Sequence, residues 1–264
     1  MNQEKQKFKI VSSKKTKYIL PSILTLCGVC LGISSIKFSI DGNFYLAVIF
    51  ILLAAILDAL DGRIARLIKG TSEFGKELDS LTDFVSFGIA PAFIIYFWEL
   101  NNYGKFGWAM TLIYSLCCVI RLARFNTTKI SIDESWKENY FQGIPSPIGA
   151  ILIMLPLIYD LSDIKKILEL KFITPYLILL VSLLLISKFP TFSFKRISIV
   201  PKFTILILFG VGISFISLMF FTFETLVIFG VSYIVTIPIA YFIYFKKNKL
   251  KIHKNSEEEH EDIL

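Results

Sequence analysis

Eight apolar runs, at roughly 19–37, 44–61, 79–98, 106–122, 144–162, 172–187, 203–221 and 224–245, constrain the fold more than any other feature of the chain. Each approaches the ~20 residues that a helix needs to cross the hydrocarbon core of a bilayer. Backbone inside lipid must satisfy its own hydrogen bonds, so runs of this length predict helices. The expected architecture is all-α, a polytopic transmembrane bundle of about eight spans forming one domain over 19–245. Composition supports this, because 55% hydrophobic and only 19% charged residues is far too apolar for a soluble domain of this size. The fifth and sixth runs are the least regular, being interrupted by Asp160, Asp163, Lys165 and Lys166. The last two are joined by a very tight turn around Thr222 to Glu224.

The flanks are polar. Residues 1–18 carry six lysines and predict a basic cytoplasmic arm against an anionic leaflet. Residues 246–264 begin basic and end acidic, which predicts a disordered, solvated tail. No cleavable signal-peptide pattern is evident in the polar first 18 residues. Between the second and third runs, Thr71, Ser72, Glu73 and Gly75 break the periodicity, and 62–77 is expected to form a short cytoplasmic interfacial helix and turn.

With eight spans both termini lie on one side. Segments 1–18, 63–77, 121–142, 188–202 and 246–254 then share one side and carry 23 lysines and arginines, against five on the other. Cytoplasmic loops collect positive charge, so this side is expected to be the cytoplasm and the membrane the cytoplasmic (plasma) membrane. The net charge of +7 reflects this topology and does not indicate nucleic acid. Cys27, Cys30, Cys117 and Cys118 all lie in apolar runs and are expected to be small buried hydrophobes, not a disulfide framework or a zinc site.

Within this apolar frame, four aspartates stand at the ends of two neighbouring runs: Asp58 and Asp61, then Asp79 and Asp83. An ionised carboxylate at an apolar boundary is costly unless something binds it. On helices, Asp58 and Asp61 are i and i+3, and Asp79 and Asp83 are i and i+4, so each pair shares a face. Two antiparallel helices would bring all four together, where they repel unless a cation intervenes. Oxygen-only ligands favour Mg²⁺, Mn²⁺ or Ca²⁺ over Zn²⁺. Four carboxylates suffice for two ions that share ligands, an arrangement suited to phosphoryl chemistry. Gly62, Ala65 and Gly75 are small enough for a bulky group to approach, and Arg63 and Arg66 can face phosphate oxygens.

The pattern Asp58-x2-Asp61-Gly62-x2-Ala65-Arg66-x8-Gly75-x3-Asp79-x3-Asp83 resembles the signature of the CDP-alcohol phosphatidyltransferases at every fixed position. The resemblance implies an integral membrane enzyme that moves a phosphatidyl group from a CDP-linked lipid to an alcohol and releases CMP. It implies two divalent ions, Mg²⁺ or Mn²⁺, at Asp58, Asp61, Asp79 and Asp83, with Asp83 as general base. Gly62, Ala65, Arg66, Gly75 and Thr25 would hold the CDP-lipid. Pro21-Ser22-Ile23-Leu24-Thr25 is similar to a Pro-Asn-x-x-Thr motif of the family, with Ser22 in place of Asn. By propensity alone, Pro21 suits a first helical turn.

Arg121-Leu-Ala-Arg124-Phe125-Asn126 and Phe141-Gln-Gly143-Ile-Pro145-Ser146-Pro147 resemble the integral-membrane phosphatidylserine synthase branch of that family. That implies CDP-diacylglycerol and L-serine as substrates, with Arg121, Arg124 and Asn126 at the acceptor. A guanidinium is a good partner for the serine carboxylate. A homodimer is implied by resemblance only, since no small-xxx-small dimer face is obvious. Two alternatives stand: another acceptor alcohol (glycerol 3-phosphate, inositol phosphate or choline), and, from a different class, a membrane cation transporter. A transporter would spread its acids along a path through several spans. Covalent catalysis is not expected, since His253 and His260 are the only histidines and both lie in the polar tail.

Overall fold

The fold was read from a computed structural model that describes residues 13–68, 72–127, 140–164, 170–187, 190–192 and 204–261. Most of the basic arm (1–12) and most of the loop 188–202 lie outside the described residues. Helix α1 (Ser13–Ile40) turns back into α2 (Phe44–Leu67) through Asp41, Gly42 and Asn43. Gly42 takes a left-handed φ of 76°, and the Asn43 side chain accepts the Leu46 N–H at 3.2 Å, capping α2. The next helix, α3 (Glu73–Asp83), is capped by Ser72, whose hydroxyl accepts the Gly75 N–H at 3.0 Å.

After Asp83 the α-helix widens into a π-turn over Phe84–Ile89 and then resumes as α4 (Ala90–Trp98). The Ala90 N–H reaches back five residues to the Val85 carbonyl. Pro91 has no N–H, so the Phe87 carbonyl loses its ordinary helical donor. Tyr114 of α5 (Lys105–Thr127) replaces that donor, its hydroxyl lying 2.9 Å from the Phe87 oxygen. On the opposite side α1 approaches closely. Ser86 Oγ donates to the Gly28 carbonyl at 3.2 Å, and a Cβ on Gly32 would stand only 3.0 Å from Ser86 Cα. Gly28-x3-Gly32 is therefore a small-xxx-small face spent within the chain, one the sequence reading overlooked.

The remaining elements are β1 (Tyr140–Gln142), α6 (Ser146–Leu161), α7 (Thr174–Ile186), β2 (Pro190–Phe192), α8 (Thr204–Phe220) and α9 (Thr222–Glu261). The described residues are all-α apart from β1 and β2, an antiparallel pair in which Phe141 faces Thr191. Helix α6 is the most enclosed, with Leu152, Ile153, Met154, Leu157 and Ile158 at most 1% exposed. Helix α8 packs on α9 and turns an apolar face outward. Leu20–Ile40, Phe44–Leu67, Glu73–Trp98, Lys105–Thr127 and Thr222–Ile243 are long and apolar enough to cross a membrane, and Ser146–Leu161, Leu170–Ile186 and Leu208–Phe220 are shorter apolar helices. These eight correspond to the eight apolar runs and make the molecule a multi-pass helical membrane bundle. A single residue, Phe221, separates the last two helices.

Four expectations are corrected. No separate interfacial helix occupies the described part of 62–77: α2 runs unbroken to Leu67, since Gly62 alone cannot stop a helix that Arg63 to Leu67 favour. The charged tail continues α9 as helix to Glu261, because lysine and glutamate are good helix formers. Cys27 and Cys30 are exposed, on a face of α1 turned away from the bundle, whereas Cys117 and Cys118 are buried. Pro21 lies inside α1, not in its first turn, because the helix begins upstream at Ser13.

Candidate active site

Helix α1 is the shared backing for both acid-bearing helices, packing against α2 along its length and against α3. The i, i+3 and i, i+4 spacings then turn the acids of α2 and α3 toward one place. One carboxylate oxygen from each of Asp58, Asp61 and Asp79 lies within 4.8 Å of the others. The Asp83 carboxyl lies against that of Asp58, so the fourth acid adjoins the same group. Its Oδ1 is buried without a hydrogen-bond partner among the described residues.

Asp61, only 4% exposed, is held from α1 by the Thr25 hydroxyl at 2.7 Å. Unit negative charges at about 4 Å repel by ~4 kcal/mol per pair at an effective dielectric constant of 20. Nothing among the described ion pairs offsets this, since those pairs are Lys37–Asp41 and Lys76–Glu73, away from the cluster. The donor set is all oxygen, three acids converge and a fourth keeps an unpartnered oxygen beside them. These residues fit hard divalent cations.

Arg121 brings positive charge to the same region. Its guanidinium acts electrostatically on both Asp58 and Asp83, and its Nη1 donates to Ser146 Oγ at 2.5 Å. The two other residues expected at the acceptor are engaged elsewhere. Arg124 donates to the Ile186 carbonyl at the end of α7, and Asn126 donates its amide N–H to Ser80 Oγ at 2.8 Å, beside Asp79. Of the residues expected at the CDP-lipid, Gly62, Ala65 and Arg66 continue α2 past Asp61. A Cβ on Gly62 would lie 4.0 Å from Arg66 Nη1, so the glycine leaves that side open. Gly75 belongs to the cap of α3, and Thr25 faces Asp61.

Three features escaped the sequence reading: the Thr25–Asp61 bond, the Arg121–Ser146 bond and the π-turn directly after Asp83. The pairings Thr25–Asp61 and Arg121–Ser146 join residues 36 and 25 positions apart, which no local periodicity reveals. The Gly-x-Pro-Ser-Pro motif drew attention to the right loop without singling out its serine. A small apolar cleft lies elsewhere in the bundle. It runs between α2, α6 and α9, lined by Val48, Ile51, Ala55, Pro147, Met154 and Leu226, and Ala55 lies one turn before Asp58.

Residues 18–237 match the CDP-alcohol phosphatidyltransferase family. A protein of Helicobacter pylori (strain 26695) is 35% identical over 205 residues, covering 75% of this chain and 82% of that protein. One of Mycobacterium leprae is 41% identical over 137 residues, 52% of this chain and 45% of its own length. One of Saccharomyces cerevisiae is 38% identical over 128 residues, 46% of each. All three are named CDP-diacylglycerol–serine O-phosphatidyltransferase. The chain spans about half the length of the mycobacterial and yeast relatives that it matches.

Proposed function

The chain belongs to the CDP-alcohol phosphatidyltransferase family, and from that premise we propose that it transfers a phosphatidyl group from CDP-diacylglycerol to the hydroxyl of L-serine, giving phosphatidylserine and CMP. The observation that carries this reading is the convergence of Asp58, Asp61 and Asp79, with Asp83 against Asp58 and Arg121 beside them. The names of the relatives supply the acceptor.

Asp58, Asp61 and Asp79 would hold two divalent ions, Mg²⁺ or Mn²⁺, with Asp83 at their edge. When bound, such ions neutralise the diphosphate and make CMP a better leaving group. The chain's own residues do the rest. Arg66 faces phosphate oxygens, and Gly62, Ala65 and Gly75 leave room for the cytidine. Thr25 fixes the direction of Asp61. Arg121 takes the serine carboxylate, which leaves the serine hydroxyl toward Asp83. Asp83 accepts the hydroxyl proton as the serine oxygen attacks the lipid-side phosphorus. The bond from that phosphorus to the CMP oxygen breaks in line, with no covalent enzyme intermediate. The reading places both termini and the acids on the cytoplasmic side of the cytoplasmic membrane, in a homodimer.

The deciding experiment is CMP release by the purified chain against a panel of alcohols, with and without Mn²⁺ or Mg²⁺. Release that requires both serine and a divalent ion is expected. Release with glycerol 3-phosphate, inositol phosphate or choline in place of serine would reassign the acceptor. Ion flux without CMP release would sink the enzyme reading.

A further inference from the structure

We infer that Ser146 is a positioning residue for the acceptor: it holds the Arg121 guanidinium back from Asp58 and Asp83, keeping open the gap that an amino-acid acceptor bridges. The inference rests on the serine-transfer reading above.

Ser146 is the first residue of α6 and is fully buried, so its hydroxyl needs a partner. It is not the cap of its own helix, because Pro145 occupies that position. Its oxygen instead accepts Arg121 Nη1 at 2.5 Å, and Cys118 Sγ lies 3.7 Å away on the same helix as Arg121. The loop that carries Ser146 is fixed in place. Gly143 has a left-handed φ of 78°, and a Cβ there would come within 3.0 Å of the carbonyls of Leu184, Leu185 and Ser187. Pro145 and Pro147 stiffen the backbone on either side of the serine. Arg124, one turn beyond Arg121, ties α5 to the same end of α7 through the Ile186 carbonyl. On its other side Arg121 lies over the Phe125 ring, 5.6 Å from the centroid.

A guanidinium has five N–H donors, and Ser146 takes one of them. Arg121 is near enough to act on Asp58 and Asp83, yet it forms no ion pair with either among the described residues. A half-buried arginine beside half-buried carboxylates would close onto them if nothing else held it. Ser146, Phe125 and the stiff loop are what hold it. Held off in this way, Arg121 is free to take the carboxylate of an acceptor whose hydroxyl goes to Asp83. Without the Ser146 hydroxyl, Arg121 would swing to Asp83 and compete with the acceptor.

The test is steady-state CMP release by the full chain in lipid vesicles, varying serine at saturating CDP-diacylglycerol and then the reverse. Ser146→Ala is expected to raise the KM for serine at least about ten-fold, the scale of one hydrogen bond to a charged group, with the lipid KM within about two-fold. The double variant Ser146→Ala/Arg121→Lys should be no worse than Arg121→Lys alone, because Ser146 acts through Arg121. Ser146→Cys keeps the volume and weakens the acceptor atom, and it serves in the same way if the alanine variant does not fold. An unmoved serine KM, an equal rise in both KM values, or additive effects in the double variant would overturn the inference. A wild-type chain that releases no CMP with serine would instead refute the reading on which it rests.

Discussion

Thr25 reaches across from α1 to hold one oxygen of Asp61 at 2.7 Å. A carboxylate donates no proton of its own when ionised, so this hydroxyl orients it without neutralising it. Outer partners of this kind typically change metal affinity by about 10–100-fold. Thr25→Val keeps the shape and removes the donor. It is expected to raise the Mn²⁺ concentration for half-maximal CMP release about ten-fold while maximal turnover stays within a few-fold. A Mn²⁺ titration of the purified variant checks this, and an unshifted midpoint would show that Asp61 needs no such support. Asp79→Asn is the harsher change. It removes a charge from the triad and should abolish divalent-dependent CMP release while the protein still inserts into membranes, as judged by extraction and chromatography. Retained full turnover would remove the mechanism. The acids themselves were legible in the sequence, because charge stands out at the ends of apolar runs. Their hydroxyl and guanidinium partners were not, since Thr25 and Ser146 look like ordinary small polar residues until tertiary packing brings them close.

Helix α3 cannot run straight into α4, because Pro91 withdraws a donor and the π-turn shifts the ladder by one residue. Such turns recur at functional sites, where they re-aim the residues before them. Here the residue directly before the turn is Asp83. Tyr114 and Ser115 of α5 donate to the Phe87 and Gly88 carbonyls at 2.9 and 3.3 Å, so the irregular stretch is supported from outside. Tyr114→Phe removes one of these donors and leaves a buried carbonyl unpaired, at a cost of about 1–3 kcal/mol. The expected result is a lower thermal midpoint in detergent, together with reduced turnover because Asp83 stands at the edge of the disturbed segment. An unchanged midpoint would mean that the carbonyl finds another donor. The apolar middle of each helix was legible, but α1, α2 and α9 continue into charged sequence beyond the apolar runs, because charge at a run's edge does not stop a helix. The π-turn was not, because it arises from Pro91 acting together with Ser86, Tyr114 and the close pass of Gly28 and Gly32, three separate segments of chain.

At the scale of the molecule, charge decides orientation and orientation decides what chemistry is possible. With 23 of the 28 lysines and arginines on one side of an eight-span chain, the proposed orientation puts that side in the cytoplasm. The turn between α2 and α3 lies on it, and so do the acids. The 3₁₀ turn Leu100–Tyr103, between α4 and α5, lies at the other face with Asn102 exposed. The proposed product CMP is soluble and charged, so a site at the cytoplasmic mouth would release it without moving it through lipid. Labelling tests this directly. Cysteine introduced at Ser72, where the α3 cap is partly exposed, should react with a membrane-impermeant maleimide in inside-out vesicles and stay protected in right-side-out ones. Cysteine at Asn102 should show the reverse. The native cysteines make a low background, because Cys117 and Cys118 are buried and Cys27 and Cys30 are exposed only on a membrane-spanning helix face, away from water. If Ser72 were labelled only from outside, the acids would face away from the cytoplasm. A transferase that draws its nucleotide-linked lipid and amino acid from the cytosol could not then work through this cluster, however well its four carboxylates fit a cation.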